Sequence, residues 1–579
     1  MTYSHTGKRT LLVVILAVLL VLTFAVLTID TADAAEGTAI SSEADFKKIS
    51  KDLDGDYYLT TDIKLSANTV IKGTFTGTLD GKGYSINTYS PTKLPESDDY
   101  FTYCYGRFMK AEGATFKNIK LKGATIKVSS SWGDPVVGGL VGYAKDCTFQ
   151  KISLTGTTKF TLNGGLDFGG IAGQAENCLF KRCTTSSKSK IIAETTSERY
   201  VCIGRFAGQS DHNTFEKCTT AGTVSIKTAG QVRHQGFVDI GGGTDTYTNC
   251  TNKATISVSG GKFMPRVSGI GQIGIYDNCK NTGSITCNFK NADGGGLVGG
   301  IMCANYTSEQ LGRVSNSSNS GAITVTYTGR MKDDRNGTYE AATGGIASMG
   351  SAINCKNSGK IKVYMKTSSR EYSQCPALIG GIVGKAALGY WEHVEGSEIV
   401  EGCKNTGSVT FSDNGNAAGV SAGGITGDGG LISKCYNTAS INATKDESCY
   451  AGGIAGHAYG VENCYNTGKV TSNAIGVAGG IVGHYEYYKK YPGYLRWNYN
   501  TGTVTAEYYG GPGSIATEAT LGGQTGIIYE NYTTKGQLYG KYIKDAAGAK
   551  VDAISFETCP GMSEEVWKMN KDNTRLIFK

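Results

Sequence analysis

Proline is scarce in this chain, 8 residues of 579, and no Gly-X-Y period runs through it, which excludes a collagen-like helix. No Cys-x-x-Cys pair occurs among its 17 cysteines, so the short ligand spacing of a tetrahedral zinc site is missing and no metal or cofactor is expected. No long basic run carries the net charge of +7; the charges are scattered singly, which speaks against a nucleic-acid partner. Disorder is excluded by 39% hydrophobic residues placed at regular intervals. What is abundant is glycine, 82 residues, roughly twice the usual share. Thr, Asn, Ser, Val, Ile and Tyr accompany it, a composition of many short strands and tight turns. A chain of 579 residues is longer than one globular core usually serves, but a solenoid grows along one axis and needs no larger centre.

The first 34 residues read as an export signal. A basic start with Lys8 and Arg9 precedes an apolar stretch from Leu11 to Ile29, and Ala32-Asp33-Ala34 fits the A-x-A rule for cleavage before Ala35. At 19 residues the apolar stretch also just spans a bilayer, so an uncleaved signal anchor is the alternative and would be the only membrane contact. Either way the body from Ala35 onward is expected outside the cell. Losing residues 1–34 removes Lys8, Arg9, Asp30 and Asp33, two charges of each sign, and leaves the net charge at +7. No cysteine follows the apolar stretch before Cys104, and no C-terminal hydrophobic tail or LPxTG-type signal is present; Leu94-Pro95 lies far too early.

The body is a tandem repeat. One half of the unit is Gly138-Gly139-Leu140-Val141-Gly142, returning as Gly169 to Gly173, Gly344 to Ala347, Gly380 to Gly384, Gly423 to Gly427, Gly452 to Gly456 and Gly479 to Gly483. The other half is Asn278-Cys279-Lys280-Asn281-Thr282-Gly283, with copies around Cys355, Cys403, Cys435 and Cys464 and weaker ones at Cys183, Cys218 and Cys250. Ser317 and Asn498 stand in the cysteine's place. Cys218 to Cys250 and Cys403 to Cys435 are 32 residues, Cys250 to Cys279 and Cys435 to Cys464 are 29. A base period near 29–32 with longer gaps is that of a solenoid whose extra residues bulge out as loops, here 301–314, 327–342, 366–377, 385–400 and 485–497. Counting from Cys147, eleven anchors predict eleven coils, about 50 Å of body at ~4.8 Å per rung.

Each part of the unit has a predicted job. The Ile or Leu after Gly-Gly points inward and stacks on its counterpart. The paired glycines allow sharp corners and close backbone approach. Asn-Thr-Gly is turn chemistry, with Asn tolerating left-handed geometry and bonding the local backbone. Stacked asparagines can bond along the axis. Alternation places the repeat cysteine inside, predicting a ladder of buried thiols. Disulfides between stacked neighbours are the alternative, because the rung spacing lies within the allowed separation. The expected fold is all-β: a right-handed parallel β-helix with short helical caps. The divisions are 35–100 for the N-terminal cap and first coil, 101–505 for the repeats, and 506–579 for the C-terminal coil and cap. Ser42 with Asp45 resembles a capping box opening a helix that carries Phe46, Ile49 and Leu53 on one face. A second short helix is expected from Ser563 to Asn570 around Trp567, followed by a strand at Leu576-Ile577-Phe578.

Gly-Gly-Ile-Val-Gly with Asn-Cys-Tyr-Asn-Thr-Gly-x-Val resembles the GLUG motif of bacterial surface proteins, and the opening Tyr58 to Leu65 and Phe75 to Ile86 are similar to the start of such arrays. The resemblance covers most of residues 55–505. It implies a right-handed parallel β-helix, secretion and often an adhesin-like role, with no conserved catalytic residues. Some relatives join such repeats to a zinc peptidase, whose His-Glu-x-x-His is absent here.

Because several β-helices degrade polysaccharides, carboxylate pairs are candidate catalytic groups. Asp98-Asp99 and Asp333-Asp334 lie in polar inserted loops, and Glu392-His393-Val394-Glu395 lies in the longest one. All three read as solvated surface. His457 and His484 follow successive Gly-Ile-x-Gly units and are expected to stack one coil apart. The best binding candidate is the aromatic insertion, with Tyr485, Tyr487, Tyr488, Tyr491, Tyr494 and Trp497, because aromatic faces stack on sugars and favour protein interfaces. The first expectation is therefore a non-enzymatic, adhesin-like secreted or surface protein, taking a glycan or a host or neighbouring-cell protein as partner. A β-helix polysaccharide lyase or glycoside hydrolase is the second, and a structural envelope spacer the third.

Overall fold

The computed structural model describes residues 37–91, 104–129, 135–195, 198–238, 240–241, 244–303, 312–329, 331, 340–367, 376–386, 399–413, 419–444, 449–473, 476–487, 493–506, 512–521, 527–540, 543 and 546–579. The export segment, Asp98-Asp99, Asp333-Asp334, Glu392 to Glu395, and Tyr488 and Tyr491 lie outside the described residues. The fold is an all-β parallel solenoid of about 11 turns, 55% strand and 2% helix.

A late coil shows the path. The chain runs through a corner strand Ala377–Gly380, a groove strand Val383–Lys385, a long-sheet strand Ile399–Glu401, a two-residue strand Lys404–Asn405 and a back strand Val409–Asp413, then re-enters the corner at Val420–Gly423. Each segment pairs in parallel with its counterpart one turn away, giving sheets of up to 16 strands. Stacking in register makes columns of equivalent residues, and the core is made of these columns.

One column shows how composition drifts along the axis. Phe116, Phe149, Phe180, Phe215, Tyr247 and Tyr276 stack face on face, with ring centroids 4.4–5.4 Å apart. The column continues as Val314, Ala352, Val400, Ile432, Val461, Leu495 and Ile528. The inward Ile ladder is present: Ile346, Ile382, Ile425, Ile454 and Ile481 are fully buried.

The two halves of the repeat meet inside the coil. A Cβ on Gly381, the second glycine of its pair, would lie 2.6 Å from Asn405 Cγ and 2.0 Å from the Gly424 carbonyl oxygen. The Gly-Gly corner therefore presses on the Asn-x-Gly turn opposite and pinches the interior into two lobes, with separate hydrophobic clusters on either side. Asn405 is fully buried and fully bonded. Its Nδ2 donates to Asn437 Oδ1 at 2.8 Å and to the Gly407 carbonyl at 2.9 Å, and its Oδ1 accepts from Gly407 N at 3.2 Å. The same links run through Asn252, Asn281, Asn319, Asn357, Asn405, Asn437, Asn466 and Asn500 at 2.7–2.9 Å. Left-handed backbone falls elsewhere than expected: on the asparagine before the cysteine, as at Asn354 with φ 54° and Asn463 with φ 52°, while the ladder asparagines lie in strands.

The repeat cysteines Cys279, Cys355, Cys403, Cys435 and Cys464 are buried free thiols. Cys403 donates its thiol to the carbonyls of Ala352 and Glu401, both at 3.4 Å, and its sulfur accepts the Cys355 N–H at 3.4 Å. Ser317 Oγ accepts the Cys279 N–H at 2.9 Å, and Asn498 Oδ1 the Cys464 N–H at 2.8 Å. The position needs a small acceptor for the neighbouring rung, which explains why Ser and Asn replace Cys there. Burial pushes the Cys403 thiol well above its ordinary range, so the thiolate is disfavoured. Cys147 does not belong to this column. Thr148 pairs with Leu179 and Ser153 with Thr184, so Cys147 stacks on Cys178 and Ile152 takes the level of Cys183.

At the N-terminus the expected helix forms at Glu43–Lys48, capped by Ser42 Oγ accepting from Asp45 N at 3.1 Å, and Phe46 and Ile49 plug the open end. The helix expected around Trp567 is overturned. Trp567–Met569 and Leu576–Phe578 form an antiparallel hairpin. The extended form places Trp567 opposite Phe578, centroids 4.6 Å apart, against the outward stack of Tyr465 and Tyr499. A flat tyrosine ladder is covered better by a flat hairpin than by a helix.

Candidate functional site

The pinch leaves a groove along the outside of the Gly-Gly corner. Corner strands form one wall and groove strands the other. A Cβ on Gly456, the last glycine of its motif, would fall 2.6 Å from Ala422 N and 2.7 Å from Ser421 Oγ, so this glycine lets the walls approach. The residue just after each Gly-Gly-Ile-x-Gly points into the groove, and successive copies align. Lys385 pairs with Asp428, His457 with His484, and His484 with Glu518. On the other wall Leu378, Ser421 and Tyr450 align, each two residues before its first glycine.

The groove changes character along its length. Near the N-terminus it is closed by polar contacts, such as Gln209 Nε2 to Asp167 Oδ2 at 2.5 Å. In the middle an apolar cluster of Ile273, Leu297, Cys303, Ala342, Met349 and Leu378 fills it. Beyond that it opens into a pocket of about 400 Å³, lined among others by Glu340, Ser421, Asp428, Tyr450, His457, His484, Glu486 and Thr520.

His457 is held from both sides. Its Nδ1 lies 2.5 Å from Asp428 Oδ1 and its Nε2 3.1 Å from Glu486 Oε2. Burial disfavours the imidazolium, but the Asp428 hydrogen bond and the charges of Asp428 and Glu486 outweigh it, so its pKa is raised. Burial likewise acts against the Asp428 carboxylate, yet the His457 bond and the charges of His457 and Lys385 hold its pKa below the ordinary value. His484 places Nε2 3.0 Å from Thr520 Oγ1 and Nδ1 3.4 Å from Glu518 Oε2, and Tyr450 meets its ring edge-on at 5.0 Å. Lys385 and Glu340 close one end as an ion pair at 2.6 Å. Ser421, only 5% exposed, has a hydroxyl without a partner among the described residues. Among the described residues no group of three or more His, Cys, Asp or Glu is arranged to hold a metal ion. The pocket thus offers a ring edge, hydroxyls, imidazoles and carboxylates on rigid strands.

The GLUG motif family matches residues 447–471, which carry Tyr450, His457 and Asn466. That motif lies on stacked parallel coils. The chain is a parallel β-solenoid that carries the GLUG motif. Among solved structures it is similar to one named IgA1 Protease, at 15% identity and TM-score 0.34, covering 66% of this chain and 22% of that one. A second, from Bacteroides ovatus and described as an immunoglobulin A1 protease, has 12% identity and TM-score 0.18, covering 94% and 95%. The chain thus spans about a fifth of the length of the first, 22%. No curated protein matches it.

His457 and His484 lie one coil apart in register, as expected, with their rings meeting edge-on at a centroid distance of 5.4 Å. The aromatic candidates separate. Tyr485 is a fully buried core residue of its GLUG coil, its hydroxyl donating to the Gly493 carbonyl at 2.8 Å, so its ring face is not offered to solvent. Tyr487 packs against the same core. Tyr494, 37% exposed, and Trp497 flank Arg496, whose guanidinium lies 4.3 Å and 3.9 Å from their ring centroids and bonds Glu462 at 2.9 Å. Trp497 donates its indole N–H to Glu530 at 2.5 Å. The cluster is engaged largely with itself. Missed from sequence were Ser421, Asp428, Tyr450, Glu486, Glu518 and Thr520. For Ser421, Asp428 and Tyr450 the available signal was position, the residue after the motif or the residue two before it.

Proposed function

We propose that this chain is a secreted or cell-surface, non-enzymatic β-solenoid with an adhesin-like role, binding a glycan in the pocket lined by Ser421, Tyr450, His457 and His484. The observation that carries this reading is a pocket edged by Tyr450 and His484 and lined by Ser421, whose buried hydroxyl has no partner among the described residues. A hydroxyl-rich ligand satisfies such a group, while the ring and imidazoles pack on its apolar faces. Strands rather than loops carry the side chains, so little ordering entropy is lost on binding.

One observation favours a second reading, a glycoside hydrolase. Two carboxylates bracket His457 beside the pocket, and hydrolysis uses paired carboxyl groups. A lyase reading gains less, because the carboxylates of Glu340, Asp428, Glu486 and Glu518 would repel a uronate.

A glycan array with the purified chain, its Ser421→Ala and Tyr450→Ala variants, and a Tyr494→Ala/Trp497→Ala double variant tests the site. The expected result is binding by the parent chain, weakened about tenfold by either pocket substitution and retained by the double variant. Binding unaffected at the pocket but lost in the double variant would move the site to the Arg496 cluster. Release of reducing or unsaturated ends from any bound glycan would replace the binding reading by the enzymatic one.

A further inference from the structure

Two early coils depart from the repeat in the same way. Where later coils have Gly-Gly-Ile, these have Gly106-Arg107-Phe108 and Gly204-Arg205-Phe206. The ladder of asparagines that fills the space beneath the second glycine begins only at Asn252. The Arg205 level has Thr185 and Ser189 instead, which leaves room for a long side chain to turn inward.

The two arginines end up in different surroundings. Arg107 is saturated by backbone carbonyls: its Nη1 donates to Ser66 and Thr69 at 2.6 and 3.0 Å, and its Nε and Nη2 to Asn87 and Thr88 at 3.3 Å. Arg205, 2% exposed, donates through Nη1 to Thr185 Oγ1 at 3.1 Å and meets Ser189 Oγ at 3.5 Å, while its Nε and Nη2 have no acceptor among the described residues. It lines a cavity of about 10 Å³ together with Thr88, Thr155, Thr158, Thr185 and Ser189. That is room for a single small species.

We propose that Arg205 holds a small monovalent anion of halide size in this cavity. A guanidinium taken out of water needs a compensating charge or a full set of acceptors, and among the described residues this one has neither. Thr185 and Thr155 already donate their hydroxyls to the Ala221 and Leu121 carbonyls, at 2.8 and 3.3 Å, which leaves those of Thr88, Thr158 and Ser189 to turn toward an anion. The volume excludes phosphate or sulfate, which need several times the space. The local potential is that of an uncompensated cation. Burial alone pushes Arg205 down to about 10, and buried His234, its Nδ1 on the Ile203 carbonyl, is pushed down to about 4 by burial, with the charge of Arg205 adding to it.

The test uses the whole chain. Crystals grown with bromide are expected to show an anomalous peak within bonding distance of Arg205 Nε and Nη2. In solution, replacing gluconate with chloride at equal ionic strength is expected to raise Tm by on the order of 1–2 °C, saturating in the millimolar range. Arg205→Gly, which restores the repeat, is expected to abolish that difference. An ordered water with no bromide signal overturns the proposal. So does a peak seen only at molar bromide with no chloride effect on Tm, which marks an adventitious ion only. A chloride effect that survives in Arg205→Gly overturns it as well. Should the variant fail to fold, the bromide signal of the parent chain still decides.

Discussion

From Phe116 to Tyr276 the coils are filled by a stack of aromatic rings, and two of their corners carry arginine; from Asn252 to Asn500 they are filled by smaller aliphatics around an asparagine ladder, and the corners keep their glycines. Register is continuous across the change, at Tyr247 with Tyr276 and Tyr276 with Val314. One coil outline therefore accepts two fillings, provided each is consistent along its own column. A ring needs a ring on the next rung to stack against, and an amide needs an amide. The open pocket lies in the asparagine half. There a strict Gly-Gly-Ile-x-Gly keeps the groove walls regular, and the residue after it is free to be Lys, Asp or His.

The largest expected effect that would sharpen this contrast is in the aromatic half. Phe180→Ala removes a ring stacked on both sides, between Phe149 at 4.8 Å and Phe215 at 4.7 Å, and should cost about 3–5 kcal/mol. Native-state hydrogen exchange should locate the loss in neighbouring coils, and a cost spread evenly over the solenoid would break the column picture. Next is Asn405→Ala. It strips the acceptor from Asn357 Nδ2 at 2.9 Å and from Gly407 N, and should cost about 2–3 kcal/mol. The matching change in the first half, Thr220→Ala, loses one bond to Asn252 Oδ1, which keeps the Ala254 N–H, and should cost about 1 kcal/mol. Equal costs in denaturant titrations would show that the amide ladder is not what holds the later coils.

The smallest effect concerns the pocket and pH. Because the His457 pKa is raised in the folded chain, its contribution is fully present below the unfolded value near 6.5 and is lost as pH rises through the higher folded value. Asp428 acts oppositely: its lowered pKa gives stability present above about 3.8 that disappears as pH falls through the folded value. Local stability around the pocket should therefore be greatest between about pH 4 and 6.5. The decline on the alkaline side should vanish in His457→Gln, measured as exchange protection of strand Ala455–Ala458 against pH.

The repeat itself was legible in the chain, because each of its residues answers a local demand that recurs every turn. Ile382 must be apolar to fill a lobe, Gly381 must lack a Cβ to clear Asn405, and Asn405 must offer an amide that both donates and accepts. Period 2 and the glycine positions were therefore enough for an all-β parallel solenoid with a helical N-terminal cap. The stacking of His457 on His484 was legible for the same reason, being pure register. Less legible was Cys147, where composition imitated the motif one strand too early and only the pairing of Thr148 with Leu179 exposed the shift. Trp567 was read as helical because its tyrosine partners lie more than 60 residues upstream, a contact no local pattern carries.

What the sequence by itself determined is the unit, because a solenoid's rules are nearest-neighbour rules and repeat in the chain. What only the tertiary structure decided is the concavity outside that unit. The pinch between Gly381 and Asn405 brings Ser421 and Tyr450 on one wall to face Asp428, His457 and His484 on the other. These residues obey no shared chemistry along the chain, and they line one pocket because the coil bends its outer surface back on itself.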